Sequence, residues 1–184
     1  LTALMIVGGA LGDRHGVARV FGAGIALFLV ASLACGLATG PQSFIAARVV
    51  QGVGAAMMVP GSLALIARTY PPEERGRAIG IWAAASAVTT AAGPILGGLL
   101  LSVGWEGAWR AIFLMNLPLG AVALASLARH VASDPPARPG VRLDLAGAAL
   151  ATLALGAIAA GLTAAEHGRA LAPRDLGLIA FGLA

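Results

Sequence analysis

The sequence is poor in charge and in cysteine, and it contains no lysine. Only 11% of its 184 residues are charged, all twelve basic residues are arginines, and Cys35 is the single cysteine. One cysteine cannot form an internal disulfide, and the three histidines show no metal-ligand spacing with it. The sequence therefore gives no reason to expect zinc, redox chemistry or another bound cofactor. Although the net charge is +4, the arginines lie between apolar runs, so we expect lipid headgroups as their partners and no nucleic acid.

Apolar residues are present in large excess. They make up 59% of the chain and the mean hydropathy is +0.89, whereas an ordinary soluble domain is roughly 45–50% apolar. Uncharged runs of helical length alternate with short charged stretches, which is typical of bilayer-spanning helices of about 20 residues. A soluble helical bundle is the alternative, but its surface helices would need a polar face that none of the long segments has. The predicted fold is all-α, a polytopic transmembrane helix bundle.

The runs and breaks predict the spans and their orientation. Spans are expected at 1–11, 18–38, 43–67, 77–101, 109–130 and 144–165, with another beginning near 175. The first and last are too short to cross a bilayer, so we expect an internal fragment of a longer protein. Eight of the twelve arginines lie in the loops after the first, third and fifth spans, which places these loops in the cytoplasm.

The first cytoplasmic loop carries a recognisable motif. The stretch GALGDRHGVAR, residues 9–19, places an aspartate and an arginine between glycines that suit a tight turn. From spacing alone it could be a polar hairpin with a snorkelling arginine. It also resembles the loop signature of the major facilitator superfamily, and the resemblance implies a cytoplasmic latch whose ion pairs break and re-form during transport. We expect Asp13 to pair with Arg68, and the latch residues are Gly9, Asp13, Arg14, Gly16, Arg19 and Arg68.

An arginine lies inside the third predicted span. Arg48 is about five residues from the outer end of this span, so it could snorkel to the interface. Helical spacing instead places it on one stripe of polar and small side chains, which should face other helices or water; the stripe comprises Arg48, Gln51, Gly52, Ala55 and Ser62. The stretch RVVQGVGAA, residues 48–56, resembles the fourth-helix signature of superfamily exporters, and this implies proton coupling by Arg48, Gln51 and Gly52.

The fourth predicted span combines glycines with a proline. Small residues follow one face of 77–101, and Pro94 removes the amide that would bond the Thr90 carbonyl. These features predict a kinked, tightly packed helix, which could be a simple packing seam. The stretch GPILGG, residues 93–98, also resembles the antiporter signature of proton-coupled exporters, and this implies that a pore-sealing helix contains Gly93, Pro94, Gly97 and Gly98.

Three further stretches place the resemblance in one branch of the superfamily. PPEERGRAIGIWAA at 71–84, GAWRAIFLMNLPLG at 107–120 and RLDLAGAAL at 142–150 are similar to fourteen-helix drug/proton antiporters. The resemblance implies a partial major facilitator fold. Residues 1–130 would form helices two to six of the N-terminal half, 131–143 a cytoplasmic loop, and 144–184 the extra central helices.

The resemblance implies a function in membrane transport. We expect proton-coupled efflux of drugs or antibiotics by alternating access, with the bilayer, protons and a lipophilic small molecule as partners, in the plasma membrane of a bacterium. The proton gradient would supply the energy, without a cofactor. All eight acids lie at span ends or in loops, so a proton-carrying carboxylate is expected on a missing helix. A nutrient transporter of the same fold and a non-transporting sensor or assembly subunit remain alternatives. An enzyme is disfavoured because the spans hold no acid–base or nucleophile grouping.

Overall fold

The protein is a helical bundle in the part of the chain that the structure describes. A computed structural model describes residues 2–102, 104–105, 107–131, 147, 150 and 153–158. The helices are α1 (Thr2–His15), α2 (Val17–Gly36), α3 (Pro41–Thr69), α4 (Pro72–Ser102), α5 (Ala108–Leu114) and α6 (Asn116–His130). No strand occurs among the described residues, and the prediction of an all-α bundle is confirmed.

Within the described ranges, four helical segments have the length and composition to cross a bilayer. They are Val17–Gly36, Pro41–Thr69, Pro72–Ser102 and Ala108–His130. The helix α1 has 14 residues. At a rise of about 1.5 Å per residue, this helix is shorter than the hydrocarbon core of a bilayer, which is about 30 Å thick. The second to fifth predicted spans are therefore confirmed. The sixth and seventh spans and the proposed division at 131–143 lie largely or wholly outside the described residues.

The helix α2 is the centre of the bundle, and it packs against α1, α3, α5 and α6. Contacts along its length run in opposite order on α3, since Phe21 lies near Gly61 while Phe28 lies near Gly54. The same reversal occurs on α6, where Leu127 lies near Gly22. Because α2 is antiparallel to both, the arginine-rich ends of α1, α3 and α6 lie on one side of the bundle, as the orientation prediction requires.

Glycines allow α2 and α3 to approach each other backbone to backbone. A methyl group on Gly54 would lie 2.8 Å from the Phe28 amide nitrogen and 2.9 Å from the Gly24 carbonyl oxygen. A methyl on Gly24 would in turn lie 3.0 Å from the Gly54 carbonyl oxygen. Real Cβ atoms do not fit at such distances, so this contact needs glycine on both helices. We call this contact the glycine seam.

A proline and a glycine together bring α1 onto α3. Pro60 lies inside α3 and lacks the amide that would bond the Ala56 carbonyl. A methyl group on Gly8 would lie 2.5 Å from that carbonyl oxygen. Only a glycine lets α1 come this close to the carbonyl that Pro60 leaves free.

The predicted span 109–130 is divided at Met115 into α5 and α6. Pro118 is the physical reason, because it offers no amide to the Leu114 carbonyl and its ring crowds that carbonyl. The two helices together still form one segment long enough to cross a membrane. The proline therefore interrupts the helix without ending the span.

Candidate functional site

The first motif folds differently from the predicted loop. The helix α1 continues to His15, so Asp13 and Arg14 belong to its last turn, and Gly16 alone separates α1 from α2. Gly16 has φ 103 and ψ 131, a conformation that glycine adopts and other residues avoid. Arg14 and His15 place positive charge at the C-terminus of α1, where the helix dipole favours it. The prediction of a polar loop is wrong in extent, while the tight glycine turn is confirmed at Gly16.

The latch residues gather at one end of the bundle. Asp13, Arg14 and Arg19 are exposed near the turn, and Arg68 is exposed in the last turn of α3. Gly9 faces α3, where its nearest neighbour is the Pro60 side chain. The fold thus places Asp13 and Arg68 on the same side of the membrane, and their pairing stays a prediction.

A chain of polar side chains connects Arg48 to the interior. The Arg48 guanidinium donates a hydrogen bond of 2.6 Å to Oε1 of Gln51, and Nε2 of Gln51 donates one of 2.6 Å to Oγ of Ser32. The Asn116 amide donates a longer one of 3.4 Å to the same hydroxyl. We call these four residues the polar chain. It joins α3, α2 and α6 inside apolar, membrane-spanning helices, where unpaired polar groups are costly.

Burial differs along the polar chain. Ser32 is 0% exposed and Gln51 is 3% exposed, whereas Arg48 is exposed on the bundle. The Arg48 guanidinium carbon lies 5.6 Å from the centre of the Phe113 ring, within the range of a cation–π contact. The charge is thus held at the bundle surface between the Gln51 carbonyl oxygen and an aromatic ring of α5.

The predicted stripe on α3 divides into two faces. Gln51 is buried against α2, whereas a methyl group on Gly52 would meet nothing within 4 Å among the described atoms. The Ser62 hydroxyl bonds the Val59 carbonyl of its own helix. The physical reason is the 100° step between successive helical residues, which turns neighbours toward different surroundings. Gly54, and not Gly52, is the glycine of this motif that packs against α2.

Aromatic rings and a second arginine meet at the opposite end from the latch. Phe44, Trp109 and Phe113 form a cluster of edge-to-face contacts with ring centres 5.4–6.3 Å apart. Arg110 lies over Trp109 at 4.7 Å and donates a 2.7 Å hydrogen bond to the Gly36 carbonyl. Because Gly36 ends α2, this bond satisfies a carbonyl that has no partner within the helix. Beside the cluster lies an open cavity of about 430 Å³.

The glycine–proline helix is the most exposed part of the bundle. No residue of α4 is buried, and it continues through Pro94 as helix. Methyl groups on Gly93 or Gly98 would meet nothing within 4 Å among the described atoms, and one on Gly97 would reach only Ile112 at 4.0 Å. The tight packing predicted for this face is therefore not formed by the described helices. Small residues permit close packing, but none of these helices is placed to provide it.

The sequence did not single out Ser32, Asn116 or the aromatic cluster. Each polar residue is isolated in an apolar run, and no periodicity separates such a residue from an ordinary satisfied core group. The available signal was the position of Asn116 in NLPLG, two residues before the proline that divides the span. The Ser32 hydroxyl bonds residues 19 and 84 positions away in sequence, which only the fold brings together.

Among the described residues, four helical segments suited to span a bilayer define an integral membrane protein, and the polar chain links three of them. The chain belongs to the Major Facilitator Superfamily, which matches residues 1–183. Superfamily members are in general carriers and not enzymes.

The relatives of the chain include bacterial proteins. The chain is 40% identical to the "Methylenomycin A resistance protein" of Bacillus subtilis (strain 168), in a match that covers 84% of the chain and 32% of the relative. It is 41% identical to the "Cephamycin export protein CmcT" of Amycolatopsis lactamdurans, covering 90% of the chain and 34% of the relative. It is also 41% identical to the "Multidrug resistance protein Stp" of Mycobacterium tuberculosis (strain CDC 1551 / Oshkosh), covering 80% and 27%.

The chain spans about a third or less of the length of these relatives. The family, the helical fold and the bacterial relatives agree with the resemblance in the motifs, and they place the chain in a bacterial plasma membrane.

Proposed function

We propose that this chain belongs to a proton-coupled exporter of drugs or antibiotics that works by alternating access. Relatives named for methylenomycin resistance, cephamycin export and multidrug resistance support export. The observation that carries the proposal is Arg48, a fixed positive charge on a spanning helix that bonds the buried Gln51. The proton gradient supplies the energy, and the protein performs no catalysis and uses no cofactor.

The chemistry of the guanidinium group gives Arg48 a supporting role in proton coupling. A guanidinium has only donors and no acceptor for a proton, so Arg48 is not the proton carrier. A guanidinium nevertheless lowers the pKa of a nearby carboxylate and so sets when that group takes up a proton. Among the described residues the acids are Asp13, Glu73 and Glu74, all exposed at helix ends. We therefore place the proton-carrying acid in another part of the protein.

The substrate in this proposal is a lipophilic small molecule. Half-buried Met57 and Met58 lie on α3 next to the glycine seam. Thioether side chains are flexible and adapt to ligands of varied shape. Binding would take place between the two halves of a major facilitator fold, near the membrane midplane.

The two remaining motifs take the roles that the resemblance implies. The residues at the α1–α2 turn, with Arg68, would form a cytoplasmic latch that opens and closes as the halves rock. The α4 face with Gly93, Pro94, Gly97 and Gly98 would seal the pore against proton leak. Its unpacked glycines support this role, because a helix from elsewhere in the protein can approach them closely.

The test is transport by the full-length protein in inverted membrane vesicles. A proton gradient is imposed and uptake is measured for a panel of lipophilic cations and antibiotics. We expect gradient-dependent uptake in the wild type and its loss in Arg48→Ala. Arg129→Ala is the matched control, since Arg129 is an exposed arginine at the end of α6 and lies outside the proposed machinery.

The possible results separate the alternatives. Uptake that persists in Arg48→Ala would leave export intact but remove Arg48 from coupling. No gradient-dependent movement of any compound would favour a nutrient transporter or a non-transporting subunit.

For the latch, Asp13→Arg and Arg68→Asp should each reduce transport, and the double swap should restore it. Failure of the swap to restore transport would refute the pairing.

A further inference from the structure

The Ser32 hydroxyl lies where three helices meet. It is fully buried in α2 and is the acceptor for the Gln51 amide of α3 at 2.6 Å and the Asn116 amide of α6 at 3.4 Å. A hydroxyl in an apolar helix is costly to bury unless it is hydrogen-bonded. Nothing in the motif resemblance assigns a role to Ser32.

The chemistry of the groups fixes the direction of the polar chain. A guanidinium has only donors, so Gln51 must present its carbonyl oxygen to Arg48 and its NH₂ group to Ser32. Ser32 is therefore required as an acceptor. Without its oxygen, the Gln51 NH₂ group would be buried beside apolar atoms. Rotation of the amide would relieve this cost and would withdraw the carbonyl oxygen from Arg48.

We propose that Ser32 is a positioning residue that, through Gln51, holds the Arg48 guanidinium in one place beside Phe113. The inference rests on the proposed function, because Arg48 is there the fixed charge of the coupling path. A long arginine side chain samples many rotamers when nothing holds it. The effect of its charge on a proton-carrying group depends on the distance between them, so a fixed position gives a fixed effect. Ser32 thus contributes to coupling without contacting substrate or proton carrier.

A second interpretation is that Ser32 only joins helices. Interhelical hydrogen bonds stabilise membrane bundles, and loss of such a bond should weaken every mode of transport equally. A positioning role predicts a different pattern. Transport that uses the proton gradient should fall, while downhill exchange of substrate across the membrane should continue.

The first experiment separates these modes with the full-length protein in proteoliposomes. Ser32→Ala is tested for gradient-driven accumulation of a lipophilic cation and for its gradient-independent counterflow. We expect accumulation to fall about tenfold, the equivalent of one hydrogen bond, with counterflow retained. Ser32→Thr retains the hydroxyl and should retain accumulation. Ser102→Ala is the matched control, because the Ser102 hydroxyl is exposed and bonds only the Leu99 carbonyl of its own helix.

The outcomes distinguish this inference from the proposed function. Unchanged accumulation in Ser32→Ala, or an equal loss of accumulation and counterflow, would overturn the positioning role and leave export standing. Gln51→Leu breaks the same chain from the other side without leaving a buried amide, and it should uncouple in the same way. If Gln51→Leu retains full coupling, the inference is also overturned.

A second measurement does not depend on transport. The midpoint of thermal unfolding is measured for Ser32→Ala, Arg48→Ala and the double variant in detergent. Residues linked through Gln51 should give non-additive shifts, because either change alone already breaks the chain. Additive shifts would overturn the link between Ser32 and Arg48. If the wild type moves no compound, the proposed function fails, and this cycle still decides whether the polar chain acts as a unit.

Discussion

Two glycine-rich helices of this bundle have opposite surroundings. In α3, Gly54 lies against the backbone of α2. In α4, Gly93 and Gly98 have no neighbour within 4 Å of an added methyl group among the described atoms. The two motifs look alike as patterns of small residues. Such a pattern encodes the capacity for close approach, whereas a contact also needs a partner helix in the right place.

The polar groups of the two regions differ in the same way. On α4 the hydroxyls of Ser86, Thr89 and Thr90 bond carbonyls four residues back in their own helix. On the α2–α3 side, Gln51 and Ser32 bond each other across the interface. The hydrogen bond between α2 and α3 is therefore already formed. On α4 the hydroxyls are bonded within their own helix, and the face is open to another helix.

The largest effect on stability should come from closing the glycine seam. Gly54→Ala places a methyl group against two backbone atoms of α2 that cannot move independently. We expect a loss of about 1–3 kcal/mol, measured as a lower midpoint of thermal unfolding of the full-length protein. Gly52→Ala is the matched control, since that site is open, and its midpoint should not fall. Equal loss in both variants would show that glycine flexibility, and not the contact, is what matters.

A smaller effect should follow from releasing α5, which contacts α2, α4 and α6. Arg110→Leu removes the hydrogen bond to the Gly36 carbonyl at the end of α2 and the contact with Trp109. We expect a loss of about 1–2 kcal/mol in the same assay. Arg110→Lys should lose less, because a lysine still offers a charged donor to this carbonyl. An unchanged midpoint in Arg110→Leu would show that this hydrogen bond does not stabilise the contact between α5 and α2.

A glycine-to-alanine change at the contact between α2 and α6 should cost less stability than one in the glycine seam and more than one on the exposed face of α4. A methyl group on Gly120 would contact the terminal methyls of Leu29 too closely. Because these methyls belong to a half-buried, flexible side chain, a rotamer change can make room, and Gly120→Ala should cost less than about 1 kcal/mol. A loss as large as that of Gly54→Ala would mean that Leu29 has no room to move.

The smallest effect on stability should occur on α4. Gly98→Ala fills open space in a helix, so the free energy of unfolding should stay the same or rise by up to about 1 kcal/mol. The midpoint of thermal unfolding should then be unchanged or higher. If the proposed pore-sealing role is right, the same variant should leak protons in vesicles loaded with a pH-sensitive dye. A variant that is less stable than the wild type would show that the face packs against another part of the protein as tightly as the seam.

Much of the fold could be predicted because apolar runs follow from the cost of placing polar groups in lipid. The spans around α2, α3 and α4 agree with their predicted positions to within a few residues, apart from the charged start of α4. That start was predicted as loop. Glu73 and Glu74 lie there in the first helical turn, where the helix dipole favours acids. Charge marks where a helix leaves the membrane, and the helix itself can continue.

The candidate site could be predicted only in part. Arg48 and Gln51 stand out because charged and amide groups are rare in spanning helices. Ser32 and Asn116 do not, since a hydroxyl or amide can be satisfied in many ways and only the neighbouring helix shows which applies. The roles of the latch, the coupling residues and the α4 motif remain predictions that the transport experiments decide.

Helical structure, location in a membrane and the placement of arginine-rich helix ends on one side could all be predicted from the amino-acid sequence. These properties follow from residue-by-residue transfer energies and from the distribution of charge, which do not depend on packing. The tertiary structure decided which glycines touch, where Gln51 turns its amide and what holds Arg48. Those properties depend on contacts between residues far apart in the chain, and such contacts exist only once the helices are packed.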